Sequence, residues 1–321
     1  MLKRIIREFF FKIGFFPPFS KSKDNAIILM YHGVDSIGSK LFNSRHVSKS
    51  VFEKHLIFLK KNANIISLTD FFDKKFSKNK INIAITFDDG YENNYLYAVP
   101  LLKKYNIPAS FFITGLNTTN CNILWADYLN IIEALWDKDI VVKEECYTKK
   151  NGHYTSIQTG VLLSESLRNE NNNFNFKNEL TIAIPEILNI IKKEKYIEYW
   201  KLMNDSEIQE ISMNSLFEIG SHGFYHNNIG NLKDFEIEYE LIKSKEYLEN
   251  LISKPIISIA YPDGSYSKSA LNIANACGYK IQLATEDYLS NDDVNDERIM
   301  SRQGVYNCGK PGNQLFDAIL C

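Results

Sequence analysis

Two carboxylates stand side by side in the stretch IAITFDDGYENNY, residues 83–95: Asp88 and Asp89, at the end of an apolar run and before Gly90. Adjacent acids repel each other, and burial adds a desolvation cost. Two devices relieve such a pair: a metal cation that binds one and an arginine that pairs with the other. A bland alternative is an Asp-Gly turn in which one Asp caps the next helix. That accounts for one carboxylate and leaves the second unexplained.

The stretch EIGSHGFYHNN, residues 218–228, places His222 and His226 four apart after another strand-like run. On a helical turn or a tight loop, that spacing can bring both imidazoles to one ion. The alternative is two exposed loop histidines. Two His and one Asp leave positions open for water on a zinc-type ion, which is a catalytic pattern. His32, in LMYHGV, ends the first strand-like run. It is either a group donating to substrate or leaving group, or a histidine satisfied by backbone hydrogen bonds. In AYPDGSYS, residues 260–267, Pro262 and Gly264 shape a turn that can aim backbone N–H groups at a developing oxyanion. Tyr261 and Tyr266 of that stretch could line a sugar site. RIMSRQGVY offers Arg298 and Arg302. Arg302 precedes an apolar strand-type run and is the expected partner of the Asp pair. His46, His55 and His153 have no comparable setting; His55 falls in a Lys-rich amphipathic helix and is expected on the surface or in packing.

Strand-like runs at 25–31, 64–68, 81–87, 109–114, 216–221, 256–261 and 279–285 position these groups. Helical patterns at about 50–61, 93–105, 235–252 and 267–276 lie between them. Ser50 and Glu53 are placed as a capping box, and Gly278 as a left-handed cap. Strands alternating with helices imply βα units and a parallel sheet. The fold class is therefore α/β, and about seven strands suggest a (β/α)7-type barrel spanning 21–321, with the candidate groups at the carboxyl ends of strands, the functional face of such barrels. Residues at about 117–205 do not fit the alternation. They read as a large helical insertion in a loop at one end of the barrel, shaping substrate access.

The totals are compatible with that reading. A chain of 321 residues with 45% hydrophobic content fits one barrel with a large core. A net charge of −2 gives no bulk reason to bind nucleic acid. Five cysteines, an odd number without C-x-x-C spacing, point to reduced thiols in a cytosolic protein. The N-terminal residues 1–20 form an amphipathic segment interrupted by Arg7, Glu8 and Lys12, so it cannot span a membrane. It has no clean signal-peptide core. Apolar residues at helical spacing, with Lys3, Arg4, Arg7 and Lys12, suit a helix lying on a membrane surface through residues 1–16. Pro17-Pro18 would let it stand apart. The competing expectation is a helix packed on the body of the protein. The expected location is cytoplasmic, at the inner face of the membrane.

Taken together, these residues resemble the polysaccharide deacetylase family, carbohydrate esterase family four with its NodB-like homology domain. The T-F-D-D-G motif stands at Thr86–Gly90 and H-x-x-x-H at His222–His226. YHGV, AYPDGSYS and MSRQGV look like stretches of the subgroup acting on surface and biofilm polysaccharides. The resemblance covers about residues 25–116 and 206–306. It implies that Asp89, His222 and His226 bind a divalent metal, usually zinc, and that Asp88 is the general base. A backbone N–H near Tyr266 would help hold the oxyanion. The implied reaction removes an N-acyl group from an amino sugar, on a polysaccharide or a lipid-linked saccharide, in surface polysaccharide or lipopolysaccharide assembly. Two departures stand out. Ala260 occupies the place of an arginine before the proline turn, which makes Arg302 the replacement partner of Asp88. No histidine follows His226, which makes His32 the leading candidate acid, with metal-bound water as the alternative proton source. Two other readings use the same residues: a carbohydrate-binding relative without turnover, and a non-haem iron oxygenase built on two His and a carboxylate.

Overall fold

The computed structural model describes residues 2–16, 26–120, 122–192, 194–285 and 296–320. Eight parallel strands build the body: β1 (Ala26–Tyr31), β2 (Ala63–Ile65), β3 (Ile81–Phe87), β4 (Ala109–Ile113), β5 (Phe217–Ser221), β6 (Ser258–Ala260), β7 (Ile281–Thr285) and β8 (Ile299–Gly304). Their order is β1-β8-β7-β6-β5-β4-β3-β2, and β3 also pairs with β1, from Ala26↔Asn82 to Tyr31↔Phe87. Seven strands thus close a distorted barrel, while β2 extends it beside the lower half of β3.

Strand periodicity decides what faces where. Ile83, Ile85 and Phe87 pack outward with Phe52, Leu56 and Leu102 of the surrounding helices. Ala84 lies on the opposite face, in the interior with Ile28, Phe112, Ala260 and Leu283. Thr86 and Asp88 follow Ala84 at period two, so the strand delivers Asp88 to the barrel interior. A Cβ on Gly220 would come within 2.4 Å of the Phe112 ring, so only glycine leaves room for that ring. Each fully buried Phe, Leu or Ile here is worth about 1.5–3 kcal/mol.

Several local expectations change. The helix Lys49–Asn62 is capped by Ser48, whose side chain accepts from Val51 N, not by Ser50. Glu53 instead meets Lys104 Nζ at 2.7 Å and Tyr105 Oη at 2.8 Å on a neighbouring helix. His55 is fully buried packing, bonded to Tyr31 Oη and Pro311 O at 3.2 and 2.8 Å. The segment at 117–205 has its own apolar core, including Tyr128, Ile132, Trp136, Tyr154, Leu167 and Leu180. It is not wholly helical: Ile140–Val142, Glu145–Lys150 and His153–Ser156 form an antiparallel three-stranded sheet. Cys146, Cys277 and Cys308 are free thiols; Cys121 and Cys321 lie outside the described residues.

The N-terminal helix, Leu2–Ile13, lies against the body. Phe11 stacks on Phe58 at 5.0 Å and Phe16 meets Phe58 edge-on at 5.2 Å. Glu8 accepts from Gly312 N at 3.0 Å, and Arg7 pairs with Asp317. Pro17-Pro18 lie outside the described residues, but residues 2–16 do not stand apart. No described helix is long and apolar enough to cross a membrane.

Candidate active site

The strand ends set the site. Asp88 and Asp89 follow β3, His32 follows β1, His222 follows β5, and Arg302 sits within β8. All five are buried, as is His226. Asp89 has φ +75° and His226 φ +57°. Left-handed backbone costs a non-glycine residue about 1–2 kcal/mol, so each is held by its surroundings.

Asp89 Oδ1 lies 3.3 Å from His222 Nε2 and 3.1 Å from His226 Nε2. Neither Asp89 oxygen makes a hydrogen bond among the described residues. The lone pairs therefore converge on a common point. Atoms bound at 2.0–2.1 Å to one tetrahedral ion lie about 3.3 Å apart, so these separations fit a shared metal ion. His222 Nδ1 is 2.8 Å from Ala260 O. A carbonyl only accepts, so Nδ1 carries a proton, and Nε2 is the nitrogen that faces Asp89 and is placed to ligate an ion. Asp89, His222 and His226 form a metal-coordinating cluster.

Asp88 is separately anchored. Arg302 grips it in a fork, Nη1 to Oδ1 at 2.6 Å and Nη2 to Oδ2 at 2.7 Å. Arg302 Nη1 also donates to Thr86 Oγ1 at 3.3 Å, and the guanidinium lies 5.5 Å over the Phe112 ring. Burial pushes the Asp88 carboxyl up, but Arg302 and then His222 outweigh it and hold it below its usual value. Burial also opposes the charge on Asp89, and the two imidazoles hold it well below the carboxylate range. Asp88 Oδ2 is 4.0 Å from His222 Nε2, so the acid held by Arg302 stands beside the cluster at the same rim. Arg298 lies apart, bonded to Asp296 and Asn272.

The other expected residues are placed unevenly. His32 is buried, and its Nδ1 finds no partner among the described residues. Burial, and then Arg45, lower its pKa to about 4, which makes the imidazole neutral at pH 7. Tyr261 is fully buried and its hydroxyl donates to Gln282 Oε1 at 2.6 Å, so it faces away from solvent. In the Pro262 turn, the amides of Gly264 and Ser265 bond within the turn, to Tyr261 O and Pro262 O. Tyr266 packs against the main core, its ring 5.8 Å from that of Tyr261. Asp263, with φ +53°, is the turn residue that reaches the cleft, where it pairs with Arg168 at 3.1 Å.

That cleft, about 910 Å³, opens on His226 and is lined by Arg45, Trp125, Arg168, Asp263 and Tyr306. Trp125 and Arg168 belong to the segment at 117–205. Arg45 and its neighbour His46 were not singled out from the sequence. Asn43 Oδ1 accepts from Arg45 Nε at 3.2 Å, and Asp127 Oδ1 lies 3.5 Å from Arg45 Nη2. His46 is buried with its ring 4.7 Å from that of Tyr91. Both lie in a loop with neither helical nor strand periodicity, so only proximity in the fold reveals them.

The Bacillus subtilis protein YxkH is 25% identical over 265 residues, covering 81% of this chain and 64% of YxkH. A poly-β-1,6-N-acetyl-D-glucosamine N-deacetylase of Staphylococcus aureus is 38% identical over 111 residues, covering 30% of this chain and 38% of that enzyme. The chain thus spans less than two thirds of the length of either. The Streptococcus pyogenes deacetylase PplD in complex with acetate superposes with a TM-score of 0.57 at 18% identity, over 91% of this chain and 97% of PplD. IcaB from Ammonifex degensii gives 0.54 at 15% identity, over 92% and 97%. These two likenesses speak to the fold alone. The polysaccharide deacetylase family model matches residues 75–152 and 183–282, more than half of the chain and inclusive of both acids and both histidines. The chain belongs to the polysaccharide deacetylase family.

Proposed function

We propose that this protein is a hydrolase of carbon–nitrogen bonds that removes an N-acetyl or other N-acyl group from an amino sugar. The observation that carries the reading is the convergence of Asp89, His222 and His226 beside an Asp88 held by Arg302. Zinc suits two nitrogens and one oxygen. When bound by these three residues, a divalent ion would polarise the acyl oxygen and make a nearby water more acidic.

The remaining work falls to the chain. Asp88 gives one lone pair of each oxygen to Arg302 and keeps capacity for a water. Ionised, it takes the proton as that water attacks the acyl carbon. The same Asp88, now protonated, returns the proton to the nitrogen as the C–N bond breaks, leaving a free amine and a carboxylate. Arg302 makes Asp88 a ready proton donor, because it stabilises the ionised product of that step. His32, expected from sequence as the acid, stands at the same rim with its Nδ1 unpartnered among the described residues and its pKa lowered by burial to about 4, and in this reading Asp88 is the group that returns the proton. A release assay tests this: acetate liberated from N-acetylated amino-sugar oligomers with zinc, by the unsubstituted protein and by Asp88→Asn. Equal release by both would sink the base assignment.

The substrate reading is a surface polysaccharide or lipid-linked saccharide, handled at the cytoplasmic face of the membrane. The N-terminal helix supports it. While Phe10, Phe11 and Phe16 face the body, Leu2, Ile5, Phe9 and Ile13 are exposed on one stripe, 70, 59, 58 and 43% accessible. Lys3, Arg4 and Lys12 are exposed on the same helix, and its only acid, Glu8, is buried. An apolar stripe with basic flanks suits an anionic lipid surface. Co-sedimentation with phosphatidylglycerol vesicles should be lost in an Ile5→Glu, Phe9→Glu double variant. Unchanged sedimentation would remove this location.

A further inference from the structure

The insertion does more than wall the cleft. Three consecutive residues, His226 at the end of the second metal motif and Asn227 and Asn228 directly after it, each bond to the insertion. Trp125 Nε1 donates to His226 O at 3.1 Å, Phe174 N donates to Asn227 Oδ1 at 2.9 Å, and Asn228 N donates to Asn173 Oδ1 at 2.7 Å. Trp125, Asn173 and Asn228 are buried. The first motif is tied to the same insertion. Tyr91 Oη donates to Asp127 Oδ2 at 2.6 Å, and Met203 N donates to Gly90 O at 2.9 Å.

His222 differs. Its backbone N donates to Ile113 O and its ring bonds Ala260 O, so the barrel alone sets it. His226 sits in left-handed backbone, with Gly223 also at positive φ, in a loop that the barrel holds through Glu240. Glu240 bonds residues 224, 225 and 227 but not His226 itself. The His226 carbonyl is fixed by Trp125.

We propose that the insertion is a clamp for the metal site, with Trp125 and Asn173 as positioning residues that hold the His226 imidazole at the separation the ion requires. This rests on the metal-site reading above. Partners that orient a metal ligand cost 10–100-fold in affinity when removed, and a bent loop carrying one ligand has more to lose than a strand end.

The test is zinc affinity of the metal-free full chain, measured by competition with a chromophoric chelator. Trp125→Phe keeps an aromatic ring and loses the indole N–H; Asn173→Ala loses the acceptor for Asn228. Each should weaken zinc binding by about 10-fold or more. Tyr154→Phe is the control. It removes a 2.7 Å bond to Trp136 O inside the insertion and touches neither motif. It should leave the affinity within twofold. Unchanged affinity in folded Trp125→Phe and Asn173→Ala overturns the clamp, and so does an equal loss in Tyr154→Phe. If the unsubstituted chain binds no zinc, the metal site falls and the clamp with it; binding that survives in both variants refutes the clamp alone.

Discussion

Asp88→Asn should cost stability as well as activity, and the two losses should separate. Asp88 and Arg302 form a fully buried, two-pronged ion pair, with Arg302 only 1% exposed. The substitution puts an amide NH2 against a guanidinium N–H, donor to donor, and leaves the arginine's charge uncompensated. Breaking such a pair costs about 3–5 kcal/mol, and the one retained acceptor places this case at the lower end. A chain of 321 residues unfolds with an entropy of about 0.7 kcal/mol/K, so Tm should fall by about 4–5 °C. Replacing both members by similar-sized apolar groups, Asp88→Leu with Arg302→Met, removes the stranded charge and leaves no orphaned amide, and such swaps are often neutral. Thermal denaturation should show most of the lost Tm returning in the double variant. Acetate release should stay down by about 10²–10⁴-fold in both, the ordinary worth of a general base. A single variant as stable as the parent would refute the electrostatic argument. A double variant with parental turnover would refute the role of Asp88.

Other outcomes follow from the same geometry. Burial raises the Asp127 carboxyl to about 7. Its folded pKa lies above the unfolded value of about 3.9, so its contribution is fully present below pH 4 and is lost as pH rises through 7. Asp127→Asn should therefore lose less Tm than the parent between pH 5 and 8; parallel pH profiles would contradict this. Glu240 accepts from Phe224 N and Tyr225 N at 2.6 and 2.8 Å. Glu240→Ala should destabilise by about 1–3 kcal/mol, readable as a lower denaturation midpoint, and unchanged stability would show that the loop satisfies those amides otherwise. Gly33→Ala should fold poorly, because a Cβ there would lie 2.5 Å from the His46 ring; normal yield and Tm would contradict that packing.

The residues doing chemistry could be read where residue type and a strand end coincided. Asp88, Asp89, His222 and His226 carry their own signal, and Arg302 is separable from Arg298 because a strand-type run follows it. The structure puts the first in a buried fork and the second on Asp296. What escaped reading depended on long-range contacts. Arg45 and His46 sit in an aperiodic loop, and Trp125 and Asp127 lie on a helix whose apolar spacing hid their hydrogen bonds across the cleft. The small sheet in the insertion had one visible sign, Asn151-Gly152, a dipeptide suited to a tight hairpin, and both residues do have positive φ. Its other turn, Lys143-Glu144, reaches the same conformation with residues that seldom adopt it, and so offered no sign. For the N-terminal helix the sequence offers two competing partners for its apolar residues, a membrane surface and the body of the protein. The helix's apolar arc is wide enough to cover Phe58 and Phe316 and still expose a stripe.

The account stands most directly on metal content, determined by elemental analysis of the purified chain reconstituted with zinc and of three variants. One equivalent should bind to the parent and to Asp88→Asn, and be lost from Asp89→Asn and His226→Ala. Equal retention in all four, or loss from Asp88→Asn as complete as from Asp89→Asn, would contradict the division of labour between the two adjacent acids.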